Sequence, residues 1–304
     1  MPARHVRPSA ITHLLGLIGA HLGPSLSPPL HEREAEELGL NCVYERIDID
    51  ELGLAPERVG ELLRVTQGLG FRGVNVTHPC KQLVLEHLAG LSSDAATVGA
   101  VNTVVFDGSE AIGHNTDCSG FRQSFARGLP DVTTRRVVLL GAGGAGAAVG
   151  HAALSLGTES LTVVDARPGQ ARELARLFQR RHGRGRAVAR STDRLADELK
   201  RADGLIHATP TGMAPSPGTP FPPELLHEEL WVAEVVYRPL ETELLRHARE
   251  RGCRTLDGGG MAVNQAALSF ALFTGLEPDR DRMERHFREL AAQPEALATA
   301  PPRQ

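Results

Sequence analysis

Aromatic residues are scarce in this chain: nine Phe, two Tyr and one Trp make up 4% of its 304 residues. A base-stacking surface for nucleic acid needs interleaved aromatics. The Arg-rich run from Arg180 to Arg190 has none, so it reads as a solvated helix end and turn. Neither sign of charge dominates. The net charge of −4 gives no electrostatic reason to expect nucleic acid or an anionic membrane as a partner. Cysteine is rare as well: Cys42, Cys80, Cys118 and Cys253 are scattered and form no C-x-x-C pair, which suits reduced thiols in a cytosol better than a disulfide framework. The thirteen histidines are dispersed without H-E-x-x-H or similar spacing, so no metal site is expected. No apolar run approaches the ~18 residues of a membrane span, and the N-terminus lacks the apolar core and cleavage site of a signal peptide. With 41% hydrophobic and 23% charged residues, the expectation is an ordinary globular cytoplasmic protein.

What is present is organised around Arg136-Val-Val-Leu-Leu-Gly-Ala-Gly-Gly-Ala-Gly-Ala-Ala-Val-Gly150. The apolar run Val137 to Leu140 suits a buried parallel strand, and Ala147 to Leu156 a helix of small residues. Between them Gly141, Gly143 and Gly146 follow the spacing G-x-G-x-x-G. Gly141 permits the tight turn, Gly143 lets a pyrophosphate approach the backbone, and Gly146 lets helix pack on strand. The helix N-terminus then offers unpaired N–H groups to phosphate. A second strand, Leu161-Thr-Val-Val-Asp165, follows at βαβ spacing and ends in an acid placed to accept hydrogen bonds from ribose hydroxyls.

A chain of 304 residues is long for one core, and two domains are expected. Strands are expected at Leu14 to Gly19, Cys42 to Asp48, Gly73 to Thr77 and Val101 to Phe106. Helices are expected at Leu30 to Leu38, Ala55 to Gly68 and Lys81 to Gly90. This alternation makes the first third an α/β domain of its own. We place the first domain at residues 1–118, joined by C-terminal helices at 261–292, and the nucleotide-binding domain at 119–260, with a cleft between them. Residues 1 to about 12 are expected to fray and residues 293–304 to form a disordered tail.

Three polar constellations sit at strand ends or loop tips, where open α/β folds place ligands. Asn75-Val-Thr77-His-Pro-Cys-Lys81 brings a lysine to a helix start. Gly113-His-Asn115-Thr-Asp117 brings a carboxylate to the domain connection. Ser25-Leu-Ser27 sets two hydroxyls in a proline-flanked turn. From spacing alone, Lys81 and Asp117 fit either a proton-transfer pair or a plain salt bridge, and the serines either a ligand site or turn chemistry.

These stretches, with Ser25-Leu-Ser-Pro-Pro-Leu-His31, Gly99-Ala-Val-Asn-Thr103, Ala208-Thr-Pro-Thr-Gly-Met213, Tyr237-Arg-Pro-Leu-Glu-Thr242 and Gly258-Gly-Gly-Met-Ala-Val-Asn-Gln265, resemble the shikimate/quinate dehydrogenase family over about residues 14 to 290. The resemblance implies an α/β fold with an N-terminal substrate domain and a Rossmann-type dinucleotide domain. It implies an enzyme that moves hydride between a ring carbon and nicotinamide, with Lys81 and Asp117 as the acid/base pair. By the same resemblance Ser25 and Ser27 bind the substrate carboxylate, while Thr77, Asn102, Asp117 and Gln265 hold the ring hydroxyls. Tyr237 lies between carboxylate and nicotinamide. The cofactor falls to Gly141, Ala142, Gly143, Gly144, Ala145, Gly146, Asp165, Arg167, Thr209, Pro210, Val236 and Gly260.

Members of the family that prefer NADP carry Asn-Arg-Thr after the second strand of the nucleotide domain, where this chain has Asp165-Ala166-Arg167. A carboxylate accepts from a 2′-hydroxyl and repels a 2′-phosphate, which favours NAD; the Arg167 guanidinium keeps NADP open. The expected partner is a small molecule, and the chain acts as a monomer or homodimer. Members of the quinate group carry Thr where Ser27 stands and Arg and His where Gly260 and Asn264 stand. The choice among quinate, shikimate and an amino analogue therefore stays open. A non-catalytic sensor of the same ligands is the reading from another class, and the intact Lys81 and Asp117 speak against it. A folate-directed relative would need an aromatic pterin slot, which 4% aromatics does not suggest.

Overall fold

A computed structural model describes residues 12–23 and 25–293. The fraying expected at residues 1–11 and the tail expected at 294–304 lie outside the described residues. The first elements in chain order are β1 (Thr12–Gly19), α1 (Ser27–Glu37), β2 (Asn41–Asp48), α2 (Val59–Gly68), β3 (Gly73–Val76), α3 (Cys80–Leu83), β4 (Gly90–Leu91) and α4 (Ser93–Val98). Then come β5 (Thr103–Asp107), β6 (Glu110–His114), α5 (Thr116–Gly128), β7 (Arg136–Leu140), α6 (Gly144–Ser155), β8 (Ser160–Val164) and α7 (Pro168–His182). The remainder are β9 (Ala187–Arg190), α8 (Leu195–Leu199), β10 (Gly204–His207), β11 (Trp231–Glu234), α9 (Glu243–Glu250), β12 (Thr255–Leu256), α10 (Gly259–Thr274) and α11 (Arg280–Ala291).

The described chain divides into two compact units. The first comprises residues up to Ser92, Val101–His114 and the residues from Ala266 on; the second comprises Ser93–Ala100 and Asn115–Gln265. Residues 93–100, 115–118 and 261–265 therefore group with the nucleotide-type unit and not with the first domain. The reason is packing. Val98, Ala100, Cys118 and Met261 are buried in the same apolar cluster as Leu139 and Val149, and the Asn115 amide donates to the Ala100 carbonyl at 2.9 Å.

In the first unit the sheet order is β2-β1-β3-β5-β6-β4. β1 pairs in parallel with β2 and β3, and β5 is antiparallel to both β3 and β6. The C-terminal ends of β1, β3 and β6 and the start of β5 thus share one end of the sheet. α1 starts at Ser27, earlier than the expected Leu30, because Pro28 and Pro29 occupy its first turn, where proline costs no hydrogen bond. α3 is shorter than the expected Lys81 to Gly90 helix and passes into a 3-10 turn at Val84–His87. The buried Glu34 carboxylate on α1 accepts a two-pronged pair from Arg282 at 2.9 and 2.6 Å, plus the Asp279 N–H at 2.8 Å. That fork ties α11 to α1.

His31 lies fully inside this unit against the Tyr44, Phe270 and Phe273 rings, and its Nδ1–H donates to the Ser27 carbonyl at 2.8 Å. Burial pushes the imidazole down from 6.5 to about 4. The unfolded chain therefore binds a proton that the folded unit refuses as pH falls from 6.5 towards 4. The stability contributed by neutral His31 is intact above 6.5 and drains by about 1.4 kcal/mol per pH unit through that window. Urea melts at stepped pH check this: His31→Gln should flatten the slope, and unchanged stability between pH 6.5 and 5 would refute it.

In the second unit all six strands are parallel, in the order β12-β11-β10-β7-β8-β9. Counted from β7, this is the 3-2-1-4-5-6 order of a dinucleotide-binding doubly wound sheet. Side chains alternate along the central strand: Val137 and Leu139 join one apolar cluster, Val138 and Leu140 the cluster on the opposite face. β9 falls inside the Arg-rich run that sequence reads as helix end and turn. Ala187 is buried in the core and Ala189 packs against it from the same face, while Arg190 stays exposed, so the strand has a small apolar inner face and a charged end.

Candidate functional site

The nucleotide-type unit reverses strand order between β7 and β10, the crevice where such sheets bind ligands. The turn after β7 holds Gly141 at φ +108°, and a Cβ there would sit 2.6 Å from the Ala208 carbonyl oxygen that follows β10. A Cβ on Gly146 would collide with the Gly141 carbonyl oxygen at 2.1 Å. Gly143 differs: open space surrounds it, as a backbone cradle for a pyrophosphate requires. Gly143 is also the N-cap of α6, and no side chain caps the helix there. The first N–H groups of α6, on Gly144, Ala145 and Gly146, have no carbonyl of their own helix to bond. These residues fit a dinucleotide phosphate.

Asp165 follows β8. Its Oδ2 accepts from the Ala142 N–H and its Oδ1 from the Arg167 N–H, both at 2.8 Å, and the Arg167 Nε stands 3.7 Å from Oδ1. The carboxylate is thus fixed at the rim of the glycine-rich turn, while the Arg167 side chain is mostly exposed.

Across the switch point lies a buried polar chain that sequence reading missed. His207 ends β10 and Glu234 ends β11, and both side chains are fully buried. The Glu234 carboxylate only accepts. It takes the His207 Nδ1–H at 2.9 Å, the Val236 N–H at 3.0 Å and the Thr242 hydroxyl at 3.1 Å. The His207 Nε2 meets the Thr209 Oγ1 at 2.5 Å, and that oxygen accepts from the Thr211 N–H at 3.3 Å. With a neutral imidazole the proton directions follow: Thr211 donates to Thr209, Thr209 to His207, His207 to Glu234. Thr209 and Val236, expected at the cofactor, are held by this chain of bonds, and Pro210 lies between Thr209 and Thr211. A polar residue closing two successive apolar strands was the available signal.

Also in this unit, the Asn115 side chain caps α5 by accepting from the Cys118 N–H at 3.0 Å, which sets buried Asp117 in the first helical turn. Burial pushes the Tyr237 phenol up; Arg238 opposes the shift and the nearby Asp117 carboxylate adds to it. Gly260 and Gln265 lie on α10. A Cβ on Gly120 would come within 2.9 Å of the Gln265 N, so the glycine lets α5 and α10 approach closely.

In the first unit the expected residues collect at the shared end of the sheet. Ser25 and Ser27 follow β1, with the Ser27 N–H donating to the Ser25 Oγ at 3.3 Å. Thr77 closes β3 and is tied to β1 by its N–H to the Ile18 carbonyl at 2.9 Å. Lys81 lies in α3, its carbonyl accepting from the Val101 N–H at 2.8 Å. Buried Asn102 precedes β5, and its Oδ1 accepts from the Thr103 hydroxyl at 3.1 Å. Behind them Asn75 accepts from the Tyr44 hydroxyl at 2.6 Å and donates to the Asn102 carbonyl, Thr103 and Ser269 at 3.0–3.1 Å. That network makes Asn75 a support for the strand end. Lys81 belongs to the first unit, and Asp117, Tyr237 and Gln265 to the second.

One unit that is a parallel doubly wound sheet with a phosphate cradle, and another that is a mixed sheet whose hydroxyls, amides and one lysine collect at one end of its strands, define a two-unit α/β protein of the nicotinamide-dependent dehydrogenase class. Comparisons with known proteins sharpen this. Residues 17–104 match the shikimate dehydrogenase substrate binding domain and 258–286 the shikimate 5'-dehydrogenase C-terminal domain. Residues 110–228 match the alanine dehydrogenase/PNT C-terminal domain. The chain is 62% identical to a shikimate dehydrogenase (NADP(+)) of Streptomyces avermitilis, over 92% of this chain and 96% of that one. It is 44% identical to a quinate/shikimate dehydrogenase (NAD(+)) of Corynebacterium efficiens, over 91% and 98%. A solved quinate dehydrogenase of Corynebacterium glutamicum in complex with NAD superposes with a TM-score of 0.86 at 44% identity, covering 91% of this chain and 99% of that one. The chain belongs to the shikimate dehydrogenase family of nicotinamide-dependent oxidoreductases acting on a CH–OH donor. Among the described residues no helix is long and apolar enough to cross a membrane.

Proposed function

We propose that this protein interconverts shikimate or quinate with the corresponding 3-dehydro ketone, using NAD, with Lys81 and Asp117 as the acid/base pair. The observation that carries the substrate reading is the edge of the first unit: Ser25, Ser27, Thr77, Lys81 and Asn102 gather there as hydroxyl, amide and ammonium groups, the donors a small anionic polyol needs. Ser25 and Ser27 take the carboxylate; Thr77, Asn102 and Gln265 orient the ring hydroxyls, and Tyr237 flanks the carboxylate. Lys81 accepts the proton of the reacting hydroxyl as its carbon is oxidised, and returns it in reduction. Asp117 holds the same hydroxyl and balances the ammonium charge. Bound nicotinamide supplies the hydride acceptor. Gly141 to Gly146 seat the phosphates, and the backbone of Gly260 meets the nicotinamide amide.

Asp165 supports NAD over NADP. Its carboxylate is fixed at 2.8 Å from two backbone N–H groups and cannot swing away from a 2′-phosphate. The second reading, an NADP-dependent shikimate dehydrogenase, draws on the exposed Arg167 and on the name of the Streptomyces avermitilis relative. Initial rates decide, with shikimate and quinate each tested against NAD and NADP. NAD should give the higher kcat/KM, and Asp165→Ser should shift the ratio several-fold towards NADP. A wild type that prefers NADP would overturn the NAD reading and establish the second.

A further inference from the structure

Asp94, Cys118 and His151 stand 24 and 33 residues apart along the chain, so no spacing rule links them, yet all three lie in the second unit and present donor atoms within 4.8 Å of one another. We propose that they form a binding site for a borderline-soft divalent cation of the zinc class, and that its occupancy restrains the first turn of α5 and slows turnover. The expectation of no metal site rests on dispersed histidines, whereas this cluster takes one donor each from α4, α5 and α6.

The support around each donor resembles the outer shell of a metal site. The Asp94 carboxylate is divided. Its Oδ2 accepts from the Ser119 hydroxyl at 2.9 Å and from Arg122 at 3.1 Å, while its Oδ1 faces the His151 Nε2 across 4.0 Å. That gap is too long for a hydrogen bond, so the two groups face one another without bonding. On its far side the His151 Nδ1 meets the His182 Nε2 at 2.8 Å. With Nδ1 donating to His182, the Nε2 lone pair points to the cluster, the arrangement in which a ligating histidine is held by its other nitrogen. Cys118 is fully buried, and burial together with the Asp94 carboxylate pushes its thiol up to about 12. Binding breaks the S–H bond, forms the metal–sulfur bond and releases that proton to solvent. Tetrahedral zinc sets its donors roughly 3.5 Å apart, a small contraction of the present cluster. Asp94 is 24% exposed, which leaves a fourth position for water.

The consequence for turnover follows from position and rests on the proposed function. Cys118 is the residue after Asp117, and its N–H carries the Asn115 cap. Drawing the Cys118 sulfur towards α4 and α6 pulls on the turn that sets the Asp117 carboxylate.

Cobalt(II) titration of the metal-free full-length protein, without substrate or cofactor, tests the site. One equivalent should produce a sulfur-to-cobalt charge-transfer band that zinc displaces. Cys118→Ser should abolish the band, and His151→Gln should weaken binding at least about tenfold. Far-ultraviolet circular dichroism identifies any variant that fails to fold, and Asp94→Asn then replaces it in the titration. A missing band in the wild type, or one that survives in Cys118→Ser, would overturn the site. Because this readout needs no turnover, it stands even if the dehydrogenase reading fails. In the rate assay zinc should slow the wild type several-fold and spare Cys118→Ser; equal slowing of both would overturn the link to α5.

Discussion

Lys81→Ala should lower kcat by about 10²- to 10⁴-fold, the range for loss of a positioned acid/base group, and leave nucleotide affinity unchanged. The substitution is structurally mild. The Lys81 backbone is pinned through its carbonyl to the Val101 N–H at 2.8 Å, a bond that alanine keeps. Asp117→Asn keeps the shape and the hydrogen-bonding reach but deletes the charge, and should cost a comparable factor. If the two act on one proton, the double variant should be little worse than either single one, because groups that work as a unit are not additive. Lys81→Arg should not rescue: guanidinium keeps the positive charge but cannot take up a proton. Initial rates followed by reduced-nicotinamide absorbance, with calorimetry for cofactor binding, provide the check. Turnover within tenfold of wild type in Lys81→Ala would remove the lysine from the chemistry. Ligand binding without turnover in the wild type would favour the sensor.

The parts of this protein that sequence makes legible are those with a short-range physical signature. Val137 to Leu140 followed by G-x-G-x-x-G describes a buried strand, a tight turn and an N-terminal cradle within 15 residues, and the structure has each of them at β7, Gly141 and α6. Elements whose character comes from distant partners are harder. β9 ends in the exposed Arg190 within a short Arg-rich stretch, and becomes a strand because β8 offers it an edge from Leu161 to Val164. α1 hides its start in a Ser-Pro-Pro run that signals a turn as strongly as a first helical turn. Residues 93–100 read as part of the first third, yet their burial is against α5 and α6.

The site divides in the same way. Motif residues such as Thr77, Lys81 and Asp117 stand out locally, while the groups that hold them do not. Asn75 draws its partners from Tyr44, Thr103 and Ser269, up to 194 residues away. Asp165 illustrates a different limit. Its identity argues for NAD by charge, while a relative 62% identical carries an NADP name. On the proposed reading the preference would turn on the fixed Asp165 carboxylate against the exposed Arg167 guanidinium, a balance of two opposing charges rather than a motif.

Glu234→Ala should destabilise the protein by about 3–5 kcal/mol, the cost of breaking a fully buried pair from one side. The carboxylate serves three donors at once, the His207 Nδ1–H, the Val236 N–H and the Thr242 hydroxyl, and alanine leaves all three without an acceptor in a site that excludes water. Thr242 also caps α9 by accepting from the Leu245 N–H at 3.3 Å, so the helix loses a fixed N-cap with it. The effect should reach the cofactor too. Without Glu234 the His207 tautomer is no longer set, the Thr209 hydroxyl loses its direction, and nucleotide affinity should fall in whatever fraction remains folded. Glu234→Gln separates the two consequences: it preserves volume and one acceptor oxygen, and should recover most of the stability while still disturbing Thr209. Thr209→Val removes only the far end of the chain, and should cost about 1 kcal/mol. Urea melts of the three variants, with calorimetric nucleotide titrations on each, test the order. A Glu234→Ala protein as stable as Thr209→Val would mean that the three donors find other acceptors, and that this buried chain is not what holds the cofactor end of the second sheet.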